Sequence, residues 1–169
     1  MKIEDNFLNQ EEFNKIQKLM MKDKSFPWYF VDHIVSKHDV DKFHFSHFFY
    51  IAGAAQSPFF NNICPILDVI KPVALWRIKA NLLTRTPNIV ENDFHVDMND
   101  MPDEKIKQWT TAIFYVNTNN GYTKFENGTK VESVANRMLT FPTDLKHTAI
   151  SCTDERTRIV INFNYFANA

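Results

Sequence analysis

His95 and Asp97 stand two positions apart in FHVDM, and His147 follows much later in the chain. On a strand, residues i and i+2 project from one face, so this triplet offers an imidazole and a carboxylate a few ångströms apart. A second imidazole from His147 completes a set of two nitrogens and one oxygen on one side of an ion. That set leaves the opposite coordination face open and suits ferrous iron in non-haem oxygen chemistry. Taken alone, a His-x-Asp triplet more often combines a core histidine with a turn-capping aspartate. The rest of the tail shifts the balance. His147 follows FPTDLK, where Pro142 and Asp144 favour a turn that delivers a histidine to the start of a loop. Arg158 then opens the apolar run RIVINFNYF. A guanidinium entering such a strand is costly to bury unless an anion meets it; the alternative is a strand-end ion pair with Asp154 or Glu155.

Positioning these groups requires a rigid scaffold, and the pattern of the chain supplies one. Asn9 with Glu12 has the form of a capping box, and Phe13, Ile16, Leu19 and Met20 recur at helical spacing. SFPWYFVDHIV and KFHFSHFFYIA read as strands, and NICPILDVIKP as a short helix stopped by Pro72. From Pro72 onward one strand follows another: ALWRIKANLLTRT, FHVDM, QWTTAIFYVN, GYTKFENGTKVES, RMLTFP and RTRIVINFNYF. Asn119-Asn120-Gly121 predicts a turn, and Asn127-Gly128 a tight hairpin. The mixed polarity of ALWRIKANLLTRT suits a strand with one face on a polar cavity, although Arg77 and Lys79 themselves read as solvent-facing edge positions. Helices first and antiparallel strands later predict an α+β chain built on a β-sandwich or open barrel.

Composition narrows the partners. The 169 residues carry a formal net charge of −1 without a long basic run, which argues against a duplex nucleic acid. Three glycines are too few for a phosphate cradle, and no apolar stretch reaches membrane-span length. Cys64 and Cys152 read as reduced, partly buried thiols. The polar, acidic start MKIEDNFLNQEEF is unlike a secretory peptide, so a cytoplasmic location is expected, or the host cytoplasm for a phage-encoded chain. His33, His38, His44 and His47 crowd the N-terminal region, but His44 and His47 at i, i+3 on a strand face opposite ways and cannot share an ion.

Taken in order, the motifs from about Pro72 to Phe166 resemble the catalytic core of the Fe(II)/2-oxoglutarate dioxygenases, in their prolyl-hydroxylase-like branch. FHVD matches the first two iron ligands, NRMLTFPTDLKHTA the strand and loop that deliver the second histidine, and TRIVINFNYF the closing strand whose leading arginine binds 2-oxoglutarate. The resemblance implies a double-stranded β-helix (jelly-roll, cupin-like) core over 72–166. Residues 1–71 would supply supporting helices and strands, with 1–169 forming one oxygenase domain. It implies Fe(II) on His95, Asp97 and His147, 2-oxoglutarate as co-substrate, and O2. AIFYVN followed by NGYTKF is similar to the strand pair between the ligands, which carries the cosubstrate-binding tyrosine over to Tyr115. Arg158 would hold the distal carboxylate, with Arg156 as the competing arginine. LWRIKANLL is similar to the first core strand of small oxygenases of marine phages and bacteria, so that Asn81 would face the cosubstrate. Asn162, Asn164 and Met98 would border the substrate, the two asparagines being alternatively buried structural amides.

The activity so implied is hydroxylation of an unactivated C–H bond in a protein residue or small molecule, coupled to decarboxylation of 2-oxoglutarate to succinate. Asp97 argues against the halogenating members, which vacate that ligand position. A nucleic-acid demethylase of the same superfamily is the rival. That branch carries a second arginine six positions after the cosubstrate arginine, where this chain has Asn164. A non-catalytic metal-binding β-sandwich is the rival from another class, although a silent relative would be expected to lack a ligand or Arg158. A protein, peptide or small-molecule substrate is expected, with neither nucleic acid nor membrane as partner. MNDMPDEKIKQ reads as a mobile loop near the pocket mouth, but nothing in the sequence names the substrate or the oligomeric state.

Overall fold

Asn9 opens the first helix with its side chain, whose Oδ1 accepts the backbone N–H of Glu12 at 3.0 Å and satisfies one of the amides a helix start leaves unpaired. This helix, α1, runs Gln10–Lys22 and buries Phe13, Ile16, Leu19 and Met20. The computed structural model describes residues 1–35, 41–98 and 101–167. Among them lie the strands β1 (Lys2–Glu4), β2 (Tyr29–Val31), β3 (His44–Ile51), β4 (Ala54–Ala55), β5 (Ala74–Thr84), β6 (Thr110–Tyr115), β7 (Asn119–Phe125), β8 (Lys130–Ser133), β9 (Arg137–Pro142), β10 (His147–Ala149) and β11 (Thr157–Phe166). Two short helices, α2 (Cys64–Ile70) and α3 (Asp103–Ile106), interrupt them. Helix α2 ends at Lys71, which takes a left-handed conformation (φ 46°) directly before Pro72.

The strands form two antiparallel sheets of a jelly-roll. The larger has the order β1-β9-β6-β11-β5-β3-β2, with β4 on β3, and the smaller has the order β10-β7-β8. Period-two alternation sorts the long central strands into two faces. Ile159, Ile161 and Phe163 of β11, Ile78 and Ala80 of β5, and Ala112 and Phe114 of β6 pack with the buried stripe of α1. The intervening residues face inward between the sheets. There Ile113, Tyr115, Phe125, Leu139, Phe141 and Val160 form a second apolar cluster, and the polar residues of β5 and β11 lie beside it. One sheet thus carries its hydrophobic support on one side and its chemistry on the other.

Three local expectations change. SFPWYFVDHIV yields only the short β2, because Phe26 turns into the core while Tyr29 and Phe30 stay exposed on the outermost strand. FHVDM is not a strand: His95 makes an isolated bridge and Asp97 lies in a turn. Asn119-Asn120-Gly121 is not the turn but the start of β7, where the register with β8 shifts between Asn119 and Tyr122. By contrast, Asn127-Gly128 does make the β7–β8 hairpin, with Gly128 at φ +88° and the Asn127 side chain accepting from Thr129 N–H at 3.0 Å.

Candidate metal centre and adjoining cavity

Two backbone hydrogen bonds bring distant segments together. The N–H of His95 donates to the carbonyl of His147 at 3.0 Å, and the N–H of His147 donates back at 3.0 Å. With the backbones clamped, the two imidazole centroids lie 4.9 Å apart. Asp97 Oδ1 sits 3.8 Å from His95 Nε2 and 3.9 Å from His147 Nε2. One ligand-capable atom from each residue falls within 4.8 Å of the others. Same-face projection from a strand therefore does not place His95 and Asp97; a pinned loop does.

The outer atoms of all three groups are held. His147 Nδ1 lies 3.1 Å from the Leu145 carbonyl, and His95 Nδ1 lies 3.5 Å from that of Asp93. A carbonyl only accepts, so Nδ1 carries the proton in each ring and Nε2 keeps its lone pair for the centre. Burial, reinforced by neighbouring His147, lowers the pKa of His95 and favours the neutral ring. The Asp97 side chain is 4% exposed. Its burial alone would raise its pKa, but Arg77, the two histidines and a hydrogen bond from Asn164 outweigh that and hold the carboxyl well below the usual carboxylate range. Nε2 of each ring and the Asp97 carboxylate thus face one another in the arrangement a 2-His-1-carboxylate site requires.

Asn164 does not border the cavity. It is fully buried and donates to Asp97 Oδ2 at 3.0 Å and to Thr111 Oγ1 at 3.1 Å, while accepting from Arg77 Nε at 3.0 Å. It anchors the carboxylate oxygen that faces away from the histidines. We expect Asn164→Leu to keep the shape of the site but weaken divalent-metal affinity by about 10- to 100-fold, as read by calorimetric titration of Mn(II) or Fe(II). An unchanged affinity would show that the amide plays no orienting part.

A cavity of about 340 Å³ adjoins the three groups, with the inward residues of β5 and β11 as one wall. Arg158, Asn81 and Asn162 line it. Arg158 is 2% exposed, while Arg156 lies exposed just before β11. The Arg158 Nε donates to Ser133 Oγ at 3.0 Å and Nη2 to Thr123 Oγ1 at 3.1 Å. Among the described residues no carboxylate pairs with it; Asp154 instead accepts from the Asn120 N–H at 3.0 Å. Gly121 permits this placement, since a Cβ there would meet Arg158 Cδ at 2.8 Å and the Ile150 carbonyl at 2.8 Å. Gly121→Ala is therefore expected to displace the guanidinium and weaken binding of a dicarboxylate at least as measurably as it lowers thermal stability. Fluorescence titration beside a melting curve checks both, and normal affinity in the folded variant would refute it.

Other site expectations are corrected. Tyr115 does not line the cavity: it is fully buried, and its hydroxyl donates to Thr123 Oγ1 at 2.8 Å. Its ring lies 5.7 Å from Arg158 Cζ, so it steadies the arginine and the threonine from behind. Thr123, which the sequence reading passed over, lines the cavity. Its oxygen accepts from both Tyr115 and Arg158, which leaves its own O–H as a donor. The Gly121-x-Thr123-x-Phe125 alternation of β7 was the available signal, since all three are buried. Met98 is buried outside the cavity lining. Arg77 and Lys79 are not on a solvent-facing edge but on the cavity wall, because β5 lies between β11 and β3 and is not an edge strand. His44 also lines the cavity, while His47 points away, bonded to the Pro27 carbonyl at 2.9 Å and the Ser57 hydroxyl at 2.8 Å. His38 and part of the MNDMPDEKIKQ segment lie outside the described residues.

No protein-family model matches the sequence, and no curated protein matches it. The fold, by contrast, is that of the Fe(II)/2-oxoglutarate oxygenases. A Burkholderia pseudomallei oxidoreductase of the 2-oxoglutarate–Fe(II) oxygenase family superposes with a TM-score of 0.68 at 11% identity, over 98% of this chain and 84% of that one. Within that class the likeness extends to prolyl hydroxylases. The Trichoplax adhaerens prolyl hydroxylase, solved with a hypoxia-inducible-factor peptide fragment, gives a TM-score of 0.67 at 14% identity, over 98% of this chain and 83% of that one. The viral collagen prolyl hydroxylase of Paramecium bursaria Chlorella virus 1, solved with 2-oxoglutarate, gives 0.54 at 12% identity, over 99% of this chain and 96% of that one.

Proposed function

We propose that this chain is an Fe(II)- and 2-oxoglutarate-dependent oxygenase that hydroxylates an unactivated C–H bond in a protein residue or small molecule. The observation that supports it most is Arg158. A buried guanidinium that, among the described residues, bonds only to hydroxyls opens onto the same cavity as a His/Asp/His cluster. A buried cation without an anion is costly, and a dicarboxylate that reaches both Arg158 and the metal ligands relieves that cost.

His95, Asp97 and His147 would hold the iron through Nε2, a carboxylate oxygen and Nε2. Arg158 would pair with the distal carboxylate of 2-oxoglutarate, and the planar guanidinium suits that bidentate task better than an ammonium. The Thr123 hydroxyl would donate to the same carboxylate, and Tyr115 would hold Thr123 in place. Asn81 borders the cosubstrate, and Asn162 borders the substrate side. When bound, iron and 2-oxoglutarate supply the dioxygen-dependent oxidation, with 2-oxoglutarate converted to succinate and carbon dioxide. The apolar second cluster beside the cavity limits water there. The likeness to prolyl hydroxylases favours a prolyl or related residue over a nucleobase, and Asn164, which stands where the demethylase branch has its second arginine, is committed to Asp97.

Anaerobic addition of 2-oxoglutarate to the Fe(II)-loaded protein is expected to produce a visible charge-transfer band, and admission of air to yield succinate. Absence of the band at saturating iron would overturn the reading.

A further inference from the structure

Beyond the groups assigned to iron and 2-oxoglutarate, the cavity keeps a cation of its own. Among the described residues its lining includes three positive charges, Arg77, Lys79 and Arg158, against the single carboxylate of Asp97. Arg77 lies 3.4 Å from Asp97, and Arg158 is placed to meet the distal carboxylate of a cosubstrate. A divalent ion and a dianionic cosubstrate add no net charge, so the positive excess persists in the loaded site. Lys79 carries one charge of that excess, and among the described residues no carboxylate forms an ion pair with it, Asp97 acting on it only from a longer distance.

Register separates Lys79 from the arginine. On β5, Leu83 pairs with Arg158 and Lys79 pairs with Asn162, so four residues, roughly 13 Å of strand, lie between the two levels. Lys79 reaches instead across the sheet to β3, where its Nζ lies 3.5 Å from His44 Nε2. His44 Nδ1 is 2.7 Å from the His33 carbonyl, so that nitrogen carries the ring proton and Nε2 is left to accept from the ammonium. Phe48 flanks the same ammonium at 5.4 Å from its ring centroid. Beside it, the side-chain oxygen of Asn162 is buried without a hydrogen-bond partner, although Asn162 lines the cavity.

We propose that Lys79, oriented by His44, anchors an anionic group (a carboxylate or a phosphate) of the primary substrate beside the metal centre. The assignment rests on the oxygenase reading for the word substrate, and on the cavity alone for the anion site. A cavity of about 340 Å³, shared with a five-carbon dicarboxylate, takes in an amino-acid-sized group rather than a large ring system. Burial, with repulsion from Arg77, lowers the Lys79 pKa to about 8, so the ammonium still predominates at neutral pH.

The test uses the zinc-loaded full chain, with and without 2-oxoglutarate, followed by protein-observed NMR during titration with acetate and with methyl phosphate. Saturable shifts are expected around His44 and Lys79, at least fivefold weaker in Lys79→Met and retained in Lys79→Arg. The tighter-binding probe identifies the carboxylate or the phosphate as the recognised group. Equal affinity in wild type and Lys79→Met, or no saturable shift in the wild type, would overturn the proposal. So would a loss of 2-oxoglutarate affinity in Lys79→Met, which would put the lysine in the cosubstrate site. Failure of 2-oxoglutarate to shift β11 signals in the wild type would instead remove the oxygenase reading, and the titration without it still decides the anion site.

Discussion

His147→Ala is expected to abolish tight divalent-metal binding while leaving the two-sheet scaffold in place. The hydrogen bonds that clamp His95 to His147 are backbone bonds, so they survive truncation of the ring. The ring itself packs 4.9 Å from Phe141 and 6.1 Å from Phe125, and its loss costs packing as well as a ligand. His147→Gln fills most of that space and separates the two effects. Removing a ligand outright should exceed the ~10- to 100-fold loss typical of an outer orienting partner. A ligand at one hundred times its dissociation constant stabilises a folded chain by about 2.7 kcal/mol. The wild type should therefore melt measurably higher with Mn(II) or Fe(II), and His147→Ala should melt at one temperature with or without metal. A metal-dependent shift in the variant matching that of the wild type would remove His147 from the centre, and succinate production at the wild-type rate would do the same.

Arg158→Met is the second large effect, and it separates the two halves of the site. Met fills much of the same volume and removes a buried charge, so the fold is expected to hold or gain slightly in stability. Cosubstrate affinity should fall by about 2–5 kcal/mol, the cost of deleting one partner of a buried charge pair, or roughly 30- to 5,000-fold. Metal affinity should not change, because none of the three ligands bonds to Arg158. Arg158→Lys should fall between, since it keeps the charge and loses the planar fork that reaches Ser133 and Thr123 together. Titrating the charge-transfer band with 2-oxoglutarate measures both variants. An Arg158→Met protein with unaltered cosubstrate affinity would refute the assignment of the distal carboxylate.

The readings that held rest on short-range rules. The helix at Gln10–Lys22 was legible because capping and a 3.6-residue apolar stripe are local properties. The hairpin at Asn127-Gly128 was legible because only certain residues tolerate its backbone. The readings that failed concern what covers a residue. Arg77 and Lys79 look like edge residues when seen on one strand, and β11 and β3 on either side of β5 turn them into a cavity wall. Tyr115 and Thr123 alternate inward on different strands, and only their meeting shows that the threonine reaches the cavity while the tyrosine stands behind it. The same holds for Asn164, an amide in an apolar strand until Asp97 arrives beside it from 67 positions away in the chain.

By itself the sequence determined the identity and order of the groups, His95, Asp97, His147 and Arg158, and the alternation that gives β5 and β11 one polar face each. Donor chemistry and period-two geometry depend on residue type and near neighbours, so both could be read without a fold. The tertiary structure alone decided that a pair of backbone hydrogen bonds holds the two histidines together and that Gly121 leaves room for Arg158. It also decided that Lys79 faces the cavity with no carboxylate in ion-pair contact among the described residues. Each of these is a contact between segments far apart in the chain, and burial, close approach and charge balance exist only once those segments are packed.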